Sequence, residues 1–385
     1  MKRLMFVVAL AICFLGILAL PPAPASSQTA VRTEIRIPDI PGYRTLKCDF
    51  HMHTVFSDGN VWPPIRAQEA WLDGLDAFAI TDHIEYQPHA EDIPTNFNRS
   101  YELARPYAQA VELTIIRGAE ITRDEPPGHL NALFLEDVNP LEKADYRDAV
   151  KAAVDQGGFV FWNHPGWKQP DRKSVWYETQ EELYRQGRLH GAEVVNGSTY
   201  YPRVHQWCLD KKLTMLGNSD IHNPVEMNYN PETGAHRPLT LVFAKDHSAE
   251  SIKQALFSRR TAIYWENTLI GESAYLEPIF QRSVVIRNPE LTLNGTRTSY
   301  LRITNTSDVS YELSADGSVP NVSLPGTVTL HAGKTVIIGI RAEAKDLTGR
   351  RRIRLPYRVK NLLVAPGQGL PVTLDLQVRF LPAES

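Results

Sequence analysis

A chain of 385 residues that is 43% hydrophobic and 22% charged holds enough material for two or three folded domains and is not a disordered polymer. Its 41 basic and 44 acidic residues leave a formal net charge of -3, so no surplus of cation draws it to nucleic acid or to an anionic membrane. Three cysteines, Cys13, Cys48 and Cys208, are too few for a disulfide framework or a thiolate zinc site.

Lys2 and Arg3 precede an apolar run from Leu4 to Leu20, and Ala23-x-Ala25 follows. A positive start, an apolar core and a small-residue end predict a secretory signal peptide over 1–25. The competing reading is a membrane anchor, but Pro21, Pro22 and Pro24 come directly after the run and favour cleavage near Ala25. The mature chain is then expected across the inner membrane, in a bacterial periplasm, with no spanning segment of its own. Cys48 and Cys208 either pair there or remain buried thiols.

After a lead-in over 26–45, residues 46–274 alternate β-rich runs with helical patterns. Strands are predicted at Leu46–Phe50, Ala77–Ile80, Leu113–Arg117, Leu130–Leu135, Phe159–Trp162, Ala192–Val195, Leu213–Leu216 and Leu239–Phe243. Several are unbroken apolar runs, as strands covered on both faces should be. Helices are predicted at Ile65–Leu72 after Pro63-Pro64, at Asp145–Gln156 before Gly157-Gly158, and at Ala249–Ser258. This alternation predicts an α/β domain built on a parallel sheet closed into a barrel.

Over 275–385 the helical period fades. Short alternating runs such as Tyr300–Thr304, Thr327–Leu330, Thr335–Ile340 and Val372–Val378 are separated by Asn294-Gly295, Asp316-Gly317 and Ala332-Gly333. A small antiparallel β-sandwich is expected, serving as a packing or interaction module.

Eleven of the twelve histidines precede the sandwich, several just beyond a predicted strand, where a parallel barrel carries its active site. His51-Met52-His53 follows the first strand, and in extended chain both imidazoles leave on one face. The pair can share one ion or be two unrelated surface histidines. Thr81-Asp82-His83 ends the second strand; Asp82 either orients an imidazole or merely opens a loop. Glu120 interrupts the strand end Ile116-Arg117-Gly118-Ala119, and a buried carboxylate needs a cation or a hydrogen-bond network. Gly128-His129 leads into the next predicted strand, whereas Asn163-His164-Pro165-Gly166 and Ser219-Asp220-Ile221-His222 again follow one. A His, Asp and Glu inventory without thiolate suits Zn²⁺, Mn²⁺ or Fe²⁺.

The ordered set His-x-His…Ser57-Asp58-Gly59, Thr-Asp-His, Gly-Ala-Glu, Gly-His, Asn-His-Pro and Ser-Asp-x-His resembles the PHP (polymerase and histidinol phosphatase) superfamily over about residues 46–270. The resemblance implies a distorted (β/α)7 barrel and two or three divalent metal ions (Zn, Mn or Fe). His51, His53 and Asp220 would hold the first ion. Glu120 would bridge it to a second, bound by His129 and His164. Asp58, His83 and His222 would hold the third. It further implies hydrolysis of phosphoric esters by a metal-bound hydroxide bridging near Glu120. A signal peptide, a barrel and a β-rich tail together are similar to secreted bacterial PHP phosphodiesterases, including enzymes that hydrolyse organophosphorus diesters.

Chain position makes Arg123 and Arg237 candidate phosphate contacts. Asp82, Asn163, Asn218 and Ser219 are candidate supports of the ligands. Trp162, Trp167, Tyr200 and Tyr201 either shape an apolar pocket or simply pack. His89 and His205 fit no motif. The expected partner is a small-molecule phosphoester, with no specific nucleic-acid binding; oligomeric state is open. Three alternatives stand beside the phosphodiesterase: a phosphomonoesterase on the same site, which should favour a more cationic pocket; a metal-dependent amidohydrolase; and a non-catalytic binding protein.

Overall fold

The computed structural model describes residues 29–93, 96–230 and 234–383. The expected signal peptide lies outside them.

Among the described residues, eleven strands and seven α-helices follow from the alternating half of the sequence. In chain order the strands are β1 (Arg44–Asp49), β2 (Ala77–Ile80), β3 (Thr114–Ile121), β4 (Leu130–Leu133), β5 (Phe159–Trp162), β6 (Gly191–Asn196), β7 (Thr199–Tyr200), β8 (Thr214–Asn218), β9 (Leu239–Ala244), β10 (Thr261–Trp265) and β11 (Thr268–Gly271). The helices are α1 (Pro63–Leu72), α2 (Arg99–Ala110), α3 (Tyr146–Asp155), α4 (Glu178–Arg185), α5 (Pro202–Lys211), α6 (Ala249–Phe257) and α7 (Ser273–Ser283). Local chemistry sets their starts. Prolines open α1 and α5, the Asp145 carboxylate accepts from the Arg147 amide at 2.8 Å, and the Ser248 hydroxyl accepts from the Ser251 amide at 3.1 Å.

Every residue of β2, β4, β5, β8 and β9 is buried, which explains the unbroken apolar sequences of β2 and β5 and the mainly apolar ones of the others. The expectation of an all-parallel sheet is corrected: the sheet is mixed. β1, β2 and β3 pair in parallel, as do β5, β6 and β8, but β3, β4 and β5 run antiparallel, and so do β1, β9, β10 and β11. Link length is one reason. The segment between β3 and β4 carries no helix, and β10 turns into β11 through Glu266-Asn267 alone, so neither connection can make a parallel crossover. Between β8 and β9 no ladder forms among the described residues. The Thr240 hydroxyl joins them, donating to Gly217 O at 2.9 Å and accepting from Gly217 N at 3.0 Å.

The remaining strands are β12 (Val284–Ile286), β13 (Glu290–Asn294), β14 (Ser299–Asn305), β15 (Tyr311–Ala315), β16 (Val322–Ser323), β17 (Thr327–Leu330), β18 (Thr335–Ala342), β19 (Gly349–Ala365) and β20 (Gln368–Leu381). They form a two-sheet sandwich, β12-β14-β18-β16 against β13-β20-β19-β15-β17. Burial alternates residue by residue in β13 and in β14, which contains the alternating run expected at Tyr300–Thr304. One pair departs from the antiparallel expectation: β13 runs parallel to β20. β19 also leaves the sandwich to run parallel to β11, pairing Leu362 with Leu269 and Leu363 with Ile270, so one sheet passes from the α/β region into the sandwich. The boundary expected at residue 275 falls inside α7, whose Leu276, Ile279 and Phe280 join a core shared by both regions.

Candidate metal centre

β1 ends one residue before Phe50, and His51 and His53 follow with both side chains buried. Two backbone bonds tie this segment to the end of β8: Asp220 N donates to His51 O at 2.9 Å, and His53 N donates to Ile221 O at 3.0 Å. They set Asp220 against both imidazoles. His51 Nε2 and His53 Nε2 lie 3.1 Å apart, and each is 3.1 Å from Asp220 Oδ1. Asp220 (φ 54) and His164 (φ 27) are non-glycine residues held in left-handed backbone, which costs about 1–3 kcal/mol each and is common where side chains must be aimed.

Glu120 closes this group from the end of β3. Its Oε2 is 3.4 Å from His51 Nε2, 3.3 Å from His53 Nε2 and 2.9 Å from His83 Nδ1. Its Oε1 faces the other way, 2.9 Å from His129 Nδ1 and 3.5 Å from His164 Nε2, and accepts from Asn163 Nδ2 at 2.6 Å. One carboxylate thus faces two groups of imidazoles. Asp58 Oδ1 gathers a third, 3.5 Å from His83 Nε2, 3.2 Å from His222 Nε2 and 3.7 Å from His53 Nδ1. Gly59 makes that loop possible: a Cβ there would stand 2.6 Å from His53 C and Thr54 N.

All nine side chains that the motifs single out therefore converge. His, Asp and Glu ligand atoms gather in four overlapping groups, including His53, Asp58, His83 and His222, and His83, Glu120 and His129.

The electrostatics bear on whether divalent cations fit. Burial opposes charge on Glu120, yet His83, His51 and His129 hold its carboxyl well below the usual range. Burial likewise opposes charge on His51, but Asp220, Glu193 and Glu120 outweigh it and raise its pKa. His83 is raised to about 10: Glu120 and Asp58 overcome its burial. His53, squeezed by burial and by charge on His83, falls to about 3. The imidazoles cannot all carry protons at once. Glu120 Oε2 is buried with no hydrogen-bond partner although three imidazole nitrogens surround it. An orphaned anionic oxygen beside converging nitrogens is the donor set a divalent cation requires. The residues fit metal ions.

An Ig-like domain family (DUF5001) matches residues 284–375, the sandwich. An uncharacterized protein of Methanocaldococcus jannaschii is 33% identical over 81 residues, 21% of this chain, and the match spans only 36% of that relative's length. A crystal structure of a two-domain protein from Bacteroides vulgatus, described as containing a predicted PHP-like metal-dependent phosphoesterase, is 45% identical, with TM-score 0.85, and the match covers 90% of this chain and 99% of that one. The chain belongs to the PHP superfamily.

In this PHP chain the residues around the cluster depart from expectation in three ways. First, Arg237 is no substrate contact. It is 1% exposed, with Nη1 3.2 Å from Asp49 Oδ2 and Nη2 2.6 Å from Asp73 Oδ2. Asp49 in turn accepts from the amide and hydroxyl of Ser219, so the pair braces the β1 and β8 ends from behind. Second, Asp82 touches no imidazole. It accepts from Thr54 N at 2.6 Å, Thr54 Oγ1 at 2.7 Å and Ser57 Oγ at 2.9 Å, and reaches His53 Nδ1 only through Ser57, 3.3 Å away. Third, Glu193 was not singled out in the sequence. Its Oε1 lies 2.8 Å from His51 Nδ1 and accepts from Asn218 Nδ2 at 3.0 Å; its Oε2 accepts from His164 N at 2.7 Å and Asn196 Nδ2 at 2.8 Å. A carboxylate can only accept, so His51 carries a proton on Nδ1, and Nε2 is the nitrogen left to face an ion at the centre. Asn163, through Glu120, and Asn218, through Glu193, stand where supports were expected.

A PHP cavity of about 1000 Å³ opens over the cluster. Arg123 lines it but is engaged, paired with Glu85 and donating to Thr122 O at 2.8 Å and Lys143 O at 2.7 Å. Trp167 and Tyr201 line it as well, whereas Trp162 packs in the core against Trp176 and Trp207, and Tyr200 bonds His205 Nδ1 at 2.9 Å. Cys48 and Cys208 are buried free thiols. Among the described residues no helix is long and apolar enough to cross a membrane.

Proposed function

We propose that the protein is a metal-dependent phosphodiesterase. The convergence of the nine side chains carries this reading, because Glu120 shared between two imidazole groups and Asp58 heading a third match what two or three closely spaced ions would need. The ions, in our reading Zn, Mn or Fe, supply an activated water and charge relief at the phosphoryl oxygens when bound. The chain's own residues do the rest. Glu193 fixes the His51 ring and the His164 backbone, Asn163 fixes Glu120, and Asp82 with Ser57 holds the turn that presents His53 and Asp58.

The diester preference rests on the charge of the cavity. A terminal phosphate is a dianion and calls for a spare cation beside the metal cluster, but Arg123 there is paired with Glu85. A diester monoanion is the better match. Parallel assays of aryl phosphate mono- and diesters test this on the metal-loaded protein. Faster diester turnover is expected; turnover of the monoester alone would assign a phosphomonoesterase.

The charged start, apolar run and Ala23-x-Ala25 of the sequence support a further part of the proposal, that the mature protein acts outside the cytoplasm. Amino-terminal sequencing of the native protein tests it: a start near residue 26 is expected, and a retained Met1 would contradict it.

A further inference from the structure

Beside the metal cluster the loop over residues 165–173 puts Trp167, Lys168 and Arg172 on the cavity wall. Its backbone is unusual. Lys168 (φ 59), Asp171 (φ 54) and Arg172 (φ 53) all occupy left-handed conformation, which side-chain-bearing residues avoid. Gly166 lets the loop press inward: a Cβ there would meet Arg172 O at 2.4 Å and Tyr201 Cε1 at 2.7 Å. Strain of this kind persists only where the surrounding structure imposes it, and it gathers at sites that hold ligands.

The side chains so displayed face the cavity. Trp167 is 44% exposed, yet its ring centre lies 5.0 Å from that of His129 and 5.2 Å from that of His164. Tyr86, 52% exposed, stands 5.9 Å from His83 on the same cavity. Arg172 donates to Thr199 Oγ1 at 2.9 Å and, among the described residues, pairs with no carboxylate. Lys168 Nζ lies 4.3 Å from the Trp167 ring and 3.7 Å from Asp124, a wholly exposed partner that solvent screens and a bound anion can replace.

We propose that Trp167, Lys168 and Arg172 form a second subsite, which binds the part of the substrate remote from the scissile phosphorus, and that this part is an aromatic ring bearing an oxyanion. The inference rests on the phosphodiesterase reading and names its substrate class. The Trp167 indole offers a flat apolar face next to the reacting centre. Arg172 offers a planar fork that matches a carboxylate or a second phosphate, and Lys168 adds a mobile point charge. The spare arginine belongs to this outer group, because it is joined to Thr199 on the wall and, among the described residues, makes no ion pair with the cluster.

The test uses methyl, phenyl, 4-carboxyphenyl and 4-phosphorylphenyl diesters that share one 4-nitrophenyl leaving group. In the reconstituted wild-type protein KM should fall about tenfold from the methyl to the phenyl ester, and about tenfold again to either charged ester; comparing the last two identifies which oxyanion is preferred. Arg172→Met should erase the second step, Trp167→Leu the first, and Arg354→Met on the distant sandwich neither. Calorimetric binding of the matching phosphinates, in which P–C bonds replace both ester links, gives the same ratios without turnover. Absence of hydrolysis with these binding ratios intact would overturn the phosphodiesterase reading and leave the subsite standing. Equal KM and equal binding for charged and neutral esters would overturn the subsite. So would an R172M defect confined to kcat on the methyl ester, which would place Arg172 at the scissile phosphate.

Discussion

Glu193 and His51 form a buried pair, with Oε1 2.8 Å from Nδ1. The contact sets the imidazole tautomer, and through the second oxygen the same carboxylate positions the His164 backbone. Glu193 accepts from four donors. Glu193→Gln replaces one acceptor oxygen with an NH2 that must face a donor whichever way the amide turns. Metal affinity should fall about 10–100-fold, measured by competition with a chelator, while the far-ultraviolet spectrum stays native. Unchanged affinity would mean that the His51 ring is fixed by something else.

Arg237 behaves as a structural ion. Removing it as Arg237→Met leaves Asp49 buried and unpaired, a loss of about 3–5 kcal/mol in urea unfolding. The KM of whatever fraction folds should stay near the wild-type value. A large KM rise at native stability would restore Arg237 to the substrate site.

Gly59→Ala inserts a Cβ against the backbone of His53 and Thr54. Either His53 or Asp58 must move, at a cost of about 1–3 kcal/mol. The ion we propose at Asp58, His83 and His222 should be lost first, so metal analysis should give a lower stoichiometry than wild type. Full stoichiometry would show that the loop adapts.

These residues also mark how far sequence reading reaches. The nine converging side chains are legible through the ordered motifs that resemble the PHP family; several of them, such as His51, His83, Glu120, His164 and Asp220, also stand at or just past strand ends, whereas His129 precedes β4 and Asp58 lies in a loop. Glu193 sits in Gly191-Ala192-Glu193, the same tripeptide as Gly118-Ala119-Glu120, and a lone acid inside the apolar strand β6 was the available signal. Arg237 was misplaced because proximity to β9 in sequence does not say which way a side chain leaves the backbone. The antiparallel strands were illegible for a related reason: an apolar run reads the same in either direction, and only the length of its connection fixes its sense. The sandwich was visible in its period of two, but the pairing of β19 with β11 depends on tertiary contact that no local pattern encodes.

Proton exchange should accompany metal loading. His83, at about 10 in the metal-free chain, is protonated at pH 7 and must shed its proton to serve as a ligand. Apparent affinity should therefore rise with pH up to about 10, with at least one proton released per protein at pH 7. Calorimetry in two buffers of different ionisation heat reads this directly; no net release would contradict it.

Glu125 supplies a pH effect on stability. Burial lifts its carboxyl to about 7, against about 4.3 in an unfolded chain. A folded-state value above the unfolded one means that the native chain binds more protons between those limits, so stability falls as pH climbs through them. The Tm advantage of Glu125→Gln over wild type should be larger at pH 8 than at pH 4 by about 2–4 °C. An advantage independent of pH would show that Glu125 titrates normally.

The central claim is that nine side chains hold divalent cations that act on phosphoric diesters, with Glu120 shared between them. Elemental analysis and diester turnover, measured together on purified wild type and Glu120→Gln, test it most directly. Two or three ions per wild-type chain are expected, with metal content and hydrolysis falling together in the variant. A wild-type chain that takes up no divalent metal, or a variant that keeps both metal and activity, would contradict it.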